Sequence, residues 1–284
     1  MKIKAVVLIA ILLCVPLFVL AENYPRRIVS LGPSITEDIY LLGAGDRLVA
    51  NTTYCMIPPE AAGKEKIGTI TAVDIEKLLS LNPDMVLATP LTNPRTKEKI
   101  EKMGIKIVSS PLAKNFDELC MQFAELGKLI GRGKEARKII ETARKKTDSI
   151  RAVVRKLPRT KVFIQVGSRP LFTMTRDSFV NDFIERAGGI NIAFDAKSGL
   201  YSREKVIEQD PDVILIMEMG IAGEEEKKIW LRYDTLSAVK NSKIFFIDAY
   251  KIGSPTPVSF IRTLEELTRM LHPENTTYSA GQTK

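Results

Sequence analysis

One twelve-residue stretch of this chain occurs twice. Residues 76–87 (EKLLSLNPDMVL) align without a gap to residues 204–215 (EKVIEQDPDVIL), with five identities and aliphatic exchanges at positions 78, 79, 85 and 86. The offset is 128 residues, beyond the roughly 20–50 of a stacked solenoid unit. It fits two lobes of similar fold. In each copy a Glu-Lys pair opens a short helix, a Pro-Asp turn follows, and a continuous apolar strand comes next. A strand apolar on both faces belongs in a parallel sheet covered by helices.

The same cadence runs through both halves. RIVSL (27–31) reads as a strand, followed by helical spacing over 36–42 that stops at Gly43. KVFIQV (161–166) reads as a strand ending at Gly167, with a helix over 179–187 and strands at 213–217 and 243–247. An amphipathic helix over 258–271 closes the chain. Between the halves, residues 133–157 lack Pro, and lack Gly after the first position. Their apolar residues (Ala136, Ile139, Ile140, Ala143, Ile150, Val153, Val154) recur at helical spacing. The organisation is therefore α/β: two Rossmann-like parallel-sheet lobes, 26–132 and 158–272, joined by one long α-helix over 133–157, with a ligand cleft between the lobes. The polar residues 273–284 read as a disordered tail.

Lys2 and Lys4 precede sixteen uncharged, largely apolar residues, Ala5 to Leu20, followed by Ala21, the layout of a secretory signal peptide over 1–21. Cys14 sits inside that apolar run, which argues against a lipid anchor. The mature protein is expected outside the cytoplasm, in the periplasm. Cys55 and Cys120 remain there, and their oxidation state stays open. The net charge of +8 comes without long like-charge runs, so nucleic-acid binding is not indicated. A single histidine, His272, argues against His-based catalysis and multi-His metal sites. No phosphate loop, GxSxG, HExxH or CxxC pattern is present. The expectation is a binding protein rather than an enzyme, with no cofactor and no resident metal. Its ligand should sit beyond the carboxyl ends of the strands.

RRIVSLGPSITEDIYLLGAGDRLVANTTYCMIPPEA with IGTITAVDIEKLLSLNPDMVLAT, and VFIQVGSRPLFT, AGGINI, SREKVIEQDPDVILIM and KIFFIDAY in the second half, resemble the helix-linked substrate-binding proteins of ABC importers. That family carries cobalamin, iron–siderophore complexes and haem. The resemblance spans about residues 26–274. It implies two α/β lobes bridged by one rigid helix, limited lobe motion, no catalysis, a monomer, and a large metal chelate as transported ligand. The ligand is a cobalamin-like corrinoid first and a ferric siderophore or haem second. A Rossmann-like enzyme and a ligand-sensing domain are the readings from other classes.

The resemblance also implies site residues. The family docks on its permease dimer through one glutamate per lobe, and these fall on Glu76 and Glu204, the first residues of the two repeat copies. Two equivalent knobs suit a two-fold partner. Helix-start stabilisation is the plainer role for both. Tyr54, Phe172 and Asp248 match cleft residues of the cobalamin binders, and Tyr250 is expected beside them. Ile70 stands where the family carries a tryptophan, and SPTPVSF lacks the family's Pro-Arg. Arg169 is placed to pair with an anionic ligand. Trp230 is expected to pack inside its lobe.

Overall fold

The computed structural model describes residues 24–218 and 223–274. The signal segment and most of the tail lie outside these residues. The first sheet contains β1 (Ile28–Ser30), β2 (Leu48–Asn51), β3 (Glu65–Lys66), β4 (Met85–Ala88) and β5 (Lys106–Ser109), all parallel, in the order β3-β2-β1-β4-β5. The second contains β6 (Thr160–Ser168), β7 (Leu171–Thr173), β8 (Gly189–Asn191), β9 (Val213–Glu218) and β10 (Ile244–Asp248). Its order is β10-β9-β6-β7, with β8 also on β6. This sheet is mixed rather than wholly parallel, because β7 folds back antiparallel on β6. The SRPLFT segment is a hairpin, too short for a crossover helix.

The helices of the first half are α1 (Pro33–Leu41), α2 (Pro59–Ala62), α3 (Ile75–Ser80), α4 (Pro94–Lys102) and α5 (Phe116–Leu129). Then come α6 (Gly133–Val154), α7 (Phe179–Arg186), α8 (Arg203–Gln209), α9 (Gly223–Trp230), α10 (Ser237–Lys240), α11 (Ala249–Gly253) and α12 (Pro257–Leu271). The long helix stops at Val154 instead of 157. Pro158 disfavours helical geometry in the residue before it, so the last residues form a turn.

The repeat is visible atom by atom. Residues 76–87 build α3 and β4, and residues 204–215 build α8 and β9. Asn82 and Asp210 are equivalent, and both take a left-handed backbone, with φ of 44° and 43°. Asp84 accepts backbone N–H groups from Arg26 at 2.7 Å and Arg27 at 3.1 Å. Its counterpart Asp212 accepts from the Lys161 N–H at 2.7 Å. Arg27 Nε donates to the Leu81 carbonyl at 3.0 Å, and Lys161 Nζ to the equivalent Gln209 carbonyl at 3.1 Å. In both lobes the incoming edge of the first strand is thus tied to the same turn.

One long helix, α6, joins the lobes, and α5 of the first lobe also packs into both cores. Ala136 of α6 packs in the core of the first lobe, and Ala143, Ile150 and Val154 pack in the core of the second. In α5, Phe116, Leu119 and Cys120 belong to the second core and Phe123 to the first. Ion pairs from Asp117 to Arg144 (2.7 Å) and Arg186 (3.1 Å) tie α5 to α6 and α7. Phe116 stacks on Phe260 of α12 with ring centres 4.5 Å apart. Interhelical packing of this extent favours limited lobe motion.

Trp230 is fully buried, as its sequence context implied. Its indole N–H donates to Gln165 Oε1 at 2.7 Å, and Gln165 Nε2 donates to Glu226 Oε2 at 2.7 Å. Glu226 also receives Arg203 Nη2 at 2.5 Å, and the Arg203 guanidinium lies over the indole. Cys55 and Cys120 are both free and buried. Burial pushes the Cys120 thiol up to about 11, which makes it inert.

Candidate functional site

A cavity of about 440 Å³ lies between the lobes, at the carboxyl ends of strands of the first sheet. The first lobe contributes α1 (Ser34, Ile35, Asp38), Ile70, the segment 87–91 after β4, the segment 110–114 after β5, and one face of α5. The second contributes residues 174 and 177–180 around the start of α7, and residues 252–255 between α11 and α12. The lining is largely apolar, as expected of a small-molecule site. Exposed apolar side chains stand on loops at Tyr54, Met56, Ile57, Leu91 and Leu112 of one lobe and Leu200 of the other, with Phe172 exposed on β7.

The elements that place these residues follow from local sequence. Pro33 starts α1 immediately after β1, and Ser34, Ile35 and Asp38 fall on one helix face at the three- and four-residue spacing. Ile39 and Leu42, adjoining that face, enter the core of the first lobe, and Ile35 packs against the same core. Phe172 closes the β6–β7 hairpin, with its ring lying directly on Gly199, where any Cβ would collide with it. Asp248 ends β10 and caps α11, its Oδ1 accepting from the Tyr250 N–H at 2.7 Å. The cap holds Tyr250 in the first turn of α11.

Of the six ligand residues expected from sequence, Ile70 lines the cavity. Tyr54 on the segment after β2, Arg169 in the β6–β7 turn, Phe172 in β7 and Asp248 at the end of β10 are exposed and outside its lining. Tyr250 is half-buried, and its hydroxyl is enclosed without a hydrogen-bond partner. Burial raises the Tyr250 pKa, and the negative charges of Glu37, Cys55, Asp38 and Asp248 add to the shift. The hydroxyl therefore stays protonated and available as a donor. Glu76 and Glu204 are both exposed, each in the first turn of its helix. Asp74 caps α3 through the Lys77 N–H at 2.9 Å, and Ser202 caps α8 through the Lys205 N–H at 3.3 Å. Glu204 titrates below its usual range, held there by its own backbone N–H, by the Ser202 hydroxyl and by Arg203. Each of these helices leads by a tight turn into the amino end of a strand and runs back against it. Both glutamates therefore lie on the side where the strands' carboxyl ends, and the cavity, are found.

The site contains residues that sequence reasoning missed. Glu37 and Asp38 are buried neighbours on α1, where the lobes meet. Thr256 Oγ1, at the N-cap of α12, donates to Glu37 Oε1 at 3.3 Å. Burial raises the Glu37 pKa, while Thr256 and the Arg262 charge pull it down. Burial, with the Glu37 charge adding to it, lifts the Asp38 pKa well above the ordinary carboxylate range. Asp38 Oδ1 is buried with no partner. The adjacent acids in SITEDIYLL carry no signal of this, since mid-helix acids usually form a solvated face.

Two α/β lobes joined by a long helix, with an apolar cavity between them, define a ligand-capturing binding protein. The chain matches the periplasmic binding protein family over residues 28–251 and belongs to it. It is 30% identical over 265 residues to the vitamin B12-binding protein of Vibrio cholerae, covering 90% of this chain and 94% of that one. It is 28% identical over 261 residues to an uncharacterised ABC transporter substrate-binding lipoprotein of Bacillus subtilis, covering 89% and 82%. The crystal structure of the periplasmic vitamin B12 binding protein BtuF of Vibrio cholerae superposes with a TM-score of 0.74 at 28% identity, covering 88% of this chain and 97% of that one. Among the described residues, no helix is long and apolar enough to cross a membrane.

Proposed function

We propose that this chain captures a cobalamin-like corrinoid in the inter-lobe cleft, outside the cytoplasm, and hands it unchanged to the permease dimer of an ABC importer. The observation that carries this reading is the largely apolar 440 Å³ cavity between the lobes, with exposed apolar and aromatic side chains on both lobes. Such a cleft suits one face of a large planar macrocycle. The likeness to vitamin B12-binding relatives supports the ligand class. In this reading Ile70 lies under the ring, Tyr54 and Phe172 grip it from opposite lobes, and Asp248 and Tyr250 meet its polar edge. The mature chain begins after residue 21 and acts as a monomer. Residues 26–132 and 158–272 are the lobes that hold the ligand between them. Glu76 and Glu204 engage basic residues on the two permease subunits.

A ferric siderophore or haem is the rival ligand, favoured by exposed Arg169 beside Phe172. Thermal denaturation of the mature protein with cyanocobalamin, a ferric siderophore and haemin separates these. A ligand at about 100 times its Kd stabilises by about 2.7 kcal/mol, a shift of several degrees. The proposal expects that shift with cyanocobalamin. A shift with haemin alone would select the rival.

A further inference from the structure

The least satisfied polar group beside the cavity is Asp38. The residue lines the cavity, is 9% exposed, and has a buried carboxylate oxygen, Oδ1, with no partner. Its surroundings offer it no counter-charge. Among the described residues, no lysine, arginine or histidine forms an ion pair with Glu37 or Asp38. The groups facing this acidic pair are Glu37 itself on α1, Tyr250 on α11, and Thr256 and Arg262 at α12, with Cys55 and Asp248 acting on Tyr250. Arg262 attracts Glu37 and does not figure among the charges acting on Asp38. Lys114 and Asp177, also in the cavity lining, offset one another in charge.

A buried acceptor without a partner is destabilising until something donates to it. Sites of this kind discriminate strongly, because a ligand lacking the donor leaves the group unpaired. We propose that Asp38 is the specificity-determining contact of the cleft: its carboxyl receives a hydrogen-bond donor of the captured chelate, so the cleft takes a neutral, carboxamide-bearing or cationic chelate and rejects one presenting carboxylates. This rests on the corrinoid reading and sharpens it. The corrin ring carries peripheral carboxamides, whereas haem carries propionates that would meet two buried acids.

The test uses the full mature chain as wild type, Asp38→Asn and Asp38→Leu. Calorimetric titration with cyanocobalamin and haemin gives affinities, and melting of the ligand-free proteins gives stability. Asp38→Leu is expected to weaken cyanocobalamin binding by about tenfold or more, the worth of a hydrogen bond to a charged or buried group. The same change is expected to raise the ligand-free Tm, because it removes an unpaired buried acid. Asp38→Asn keeps an acceptor oxygen and loses the charge. It should hold cyanocobalamin within about threefold and bind haemin more tightly than wild type does. A residue with a purely structural role would lower Tm when replaced. Wild type that binds cyanocobalamin, with Asp38→Leu binding it equally well or melting lower, overturns the Asp38 assignment and leaves the corrinoid reading standing. Wild type that binds no corrinoid overturns the corrinoid reading and this assignment with it.

Discussion

Thr256 and Glu37, 219 positions apart in sequence, meet where the lobes touch: the hydroxyl that caps α12 donates to Glu37 Oε1 at 3.3 Å. The contact places a buried carboxylate of the first lobe at the amino end of a fifteen-residue helix of the second. A helix N-terminus favours negative charge, so the pair is held by the dipole as well as by the hydrogen bond. Thr256→Val leaves the Glu37 carboxyl without its donor. It should cost about 1–2 kcal/mol in urea unfolding.

The acidic pair makes stability depend on pH with a definite sign. Asp38 and Glu37 both have folded pKa values raised mainly by burial. Groups of this kind stabilise below their ordinary range near pH 4, and that contribution is lost as pH rises through the raised folded values. His272 acts oppositely: burial depresses its pKa, so its contribution is lost as pH falls below about 6.5. The difference between wild type and Asp38→Asn cancels the histidine. Urea unfolding across about pH 4 to 8 should therefore show wild type losing stability relative to Asp38→Asn as pH rises.

Ile70 is half-buried and borders the cavity. Ile70→Trp puts an indole where the ligand lies, at little cost to a lobe core that Ile70 does not enter. Stacking and burial of an aromatic ring are worth about 1–2 kcal/mol, so corrinoid affinity should rise roughly tenfold with Tm of the free protein unchanged. Titration calorimetry reads it directly.

How much of this was legible in the sequence varies by element. The repeat named α3–β4 and α8–β9, and apolar runs marked the strands, because buried parallel strands leave no ambiguity of face. Asp84 and Asp212, equivalent in the alignment, proved equivalent in bonding. The β7 hairpin was not legible, since three residues carry no periodicity of their own. The packing of α5 into both cores is not legible, because an amphipathic pattern does not say which core receives each half of the helix. Asp38 was invisible for a related reason. A mid-helix acid is buried here only because the other lobe covers it. Tyr250 was read as a cleft residue, but its hydroxyl is enclosed beside the same acids.

Glu226 anchors the amino end of α8. Its carboxylate is 6% exposed and holds both Arg203 and Gln165. Glu226→Ala would leave the Arg203 charge buried without a partner, beside an Nη1 that already has none. The cost should be about 3 kcal/mol in denaturant unfolding. Because Arg203 precedes Glu204, the same change should weaken permease binding while a ligand held mainly by α1 and the strand-end loops binds as before.

The equivalence of Asp84 and Asp212 predicts matched costs. Each anchors the start of its lobe's first strand by accepting backbone N–H groups, a role close to that of a helix cap. Asp84→Ala and Asp212→Ala should each cost about 1 kcal/mol, and the double change should be additive, since the two turns lie in different lobes and share no partner. Urea titrations of the three variants give the comparison.

Capture and delivery are tested together by corrinoid uptake into proteoliposomes carrying the cognate permease. Glu76 and Glu204 are exposed and open equivalent helices on the cavity side, so they should govern encounter with the permease rather than ligand affinity. Wild type should drive uptake of labelled cyanocobalamin, with a rate that falls as salt is raised. The Glu76→Ala, Glu204→Ala double variant should bind cyanocobalamin as wild type does and lose most of that uptake. A double variant that transports at the wild-type rate, or a wild-type chain that supports no corrinoid uptake at all, would contradict the account.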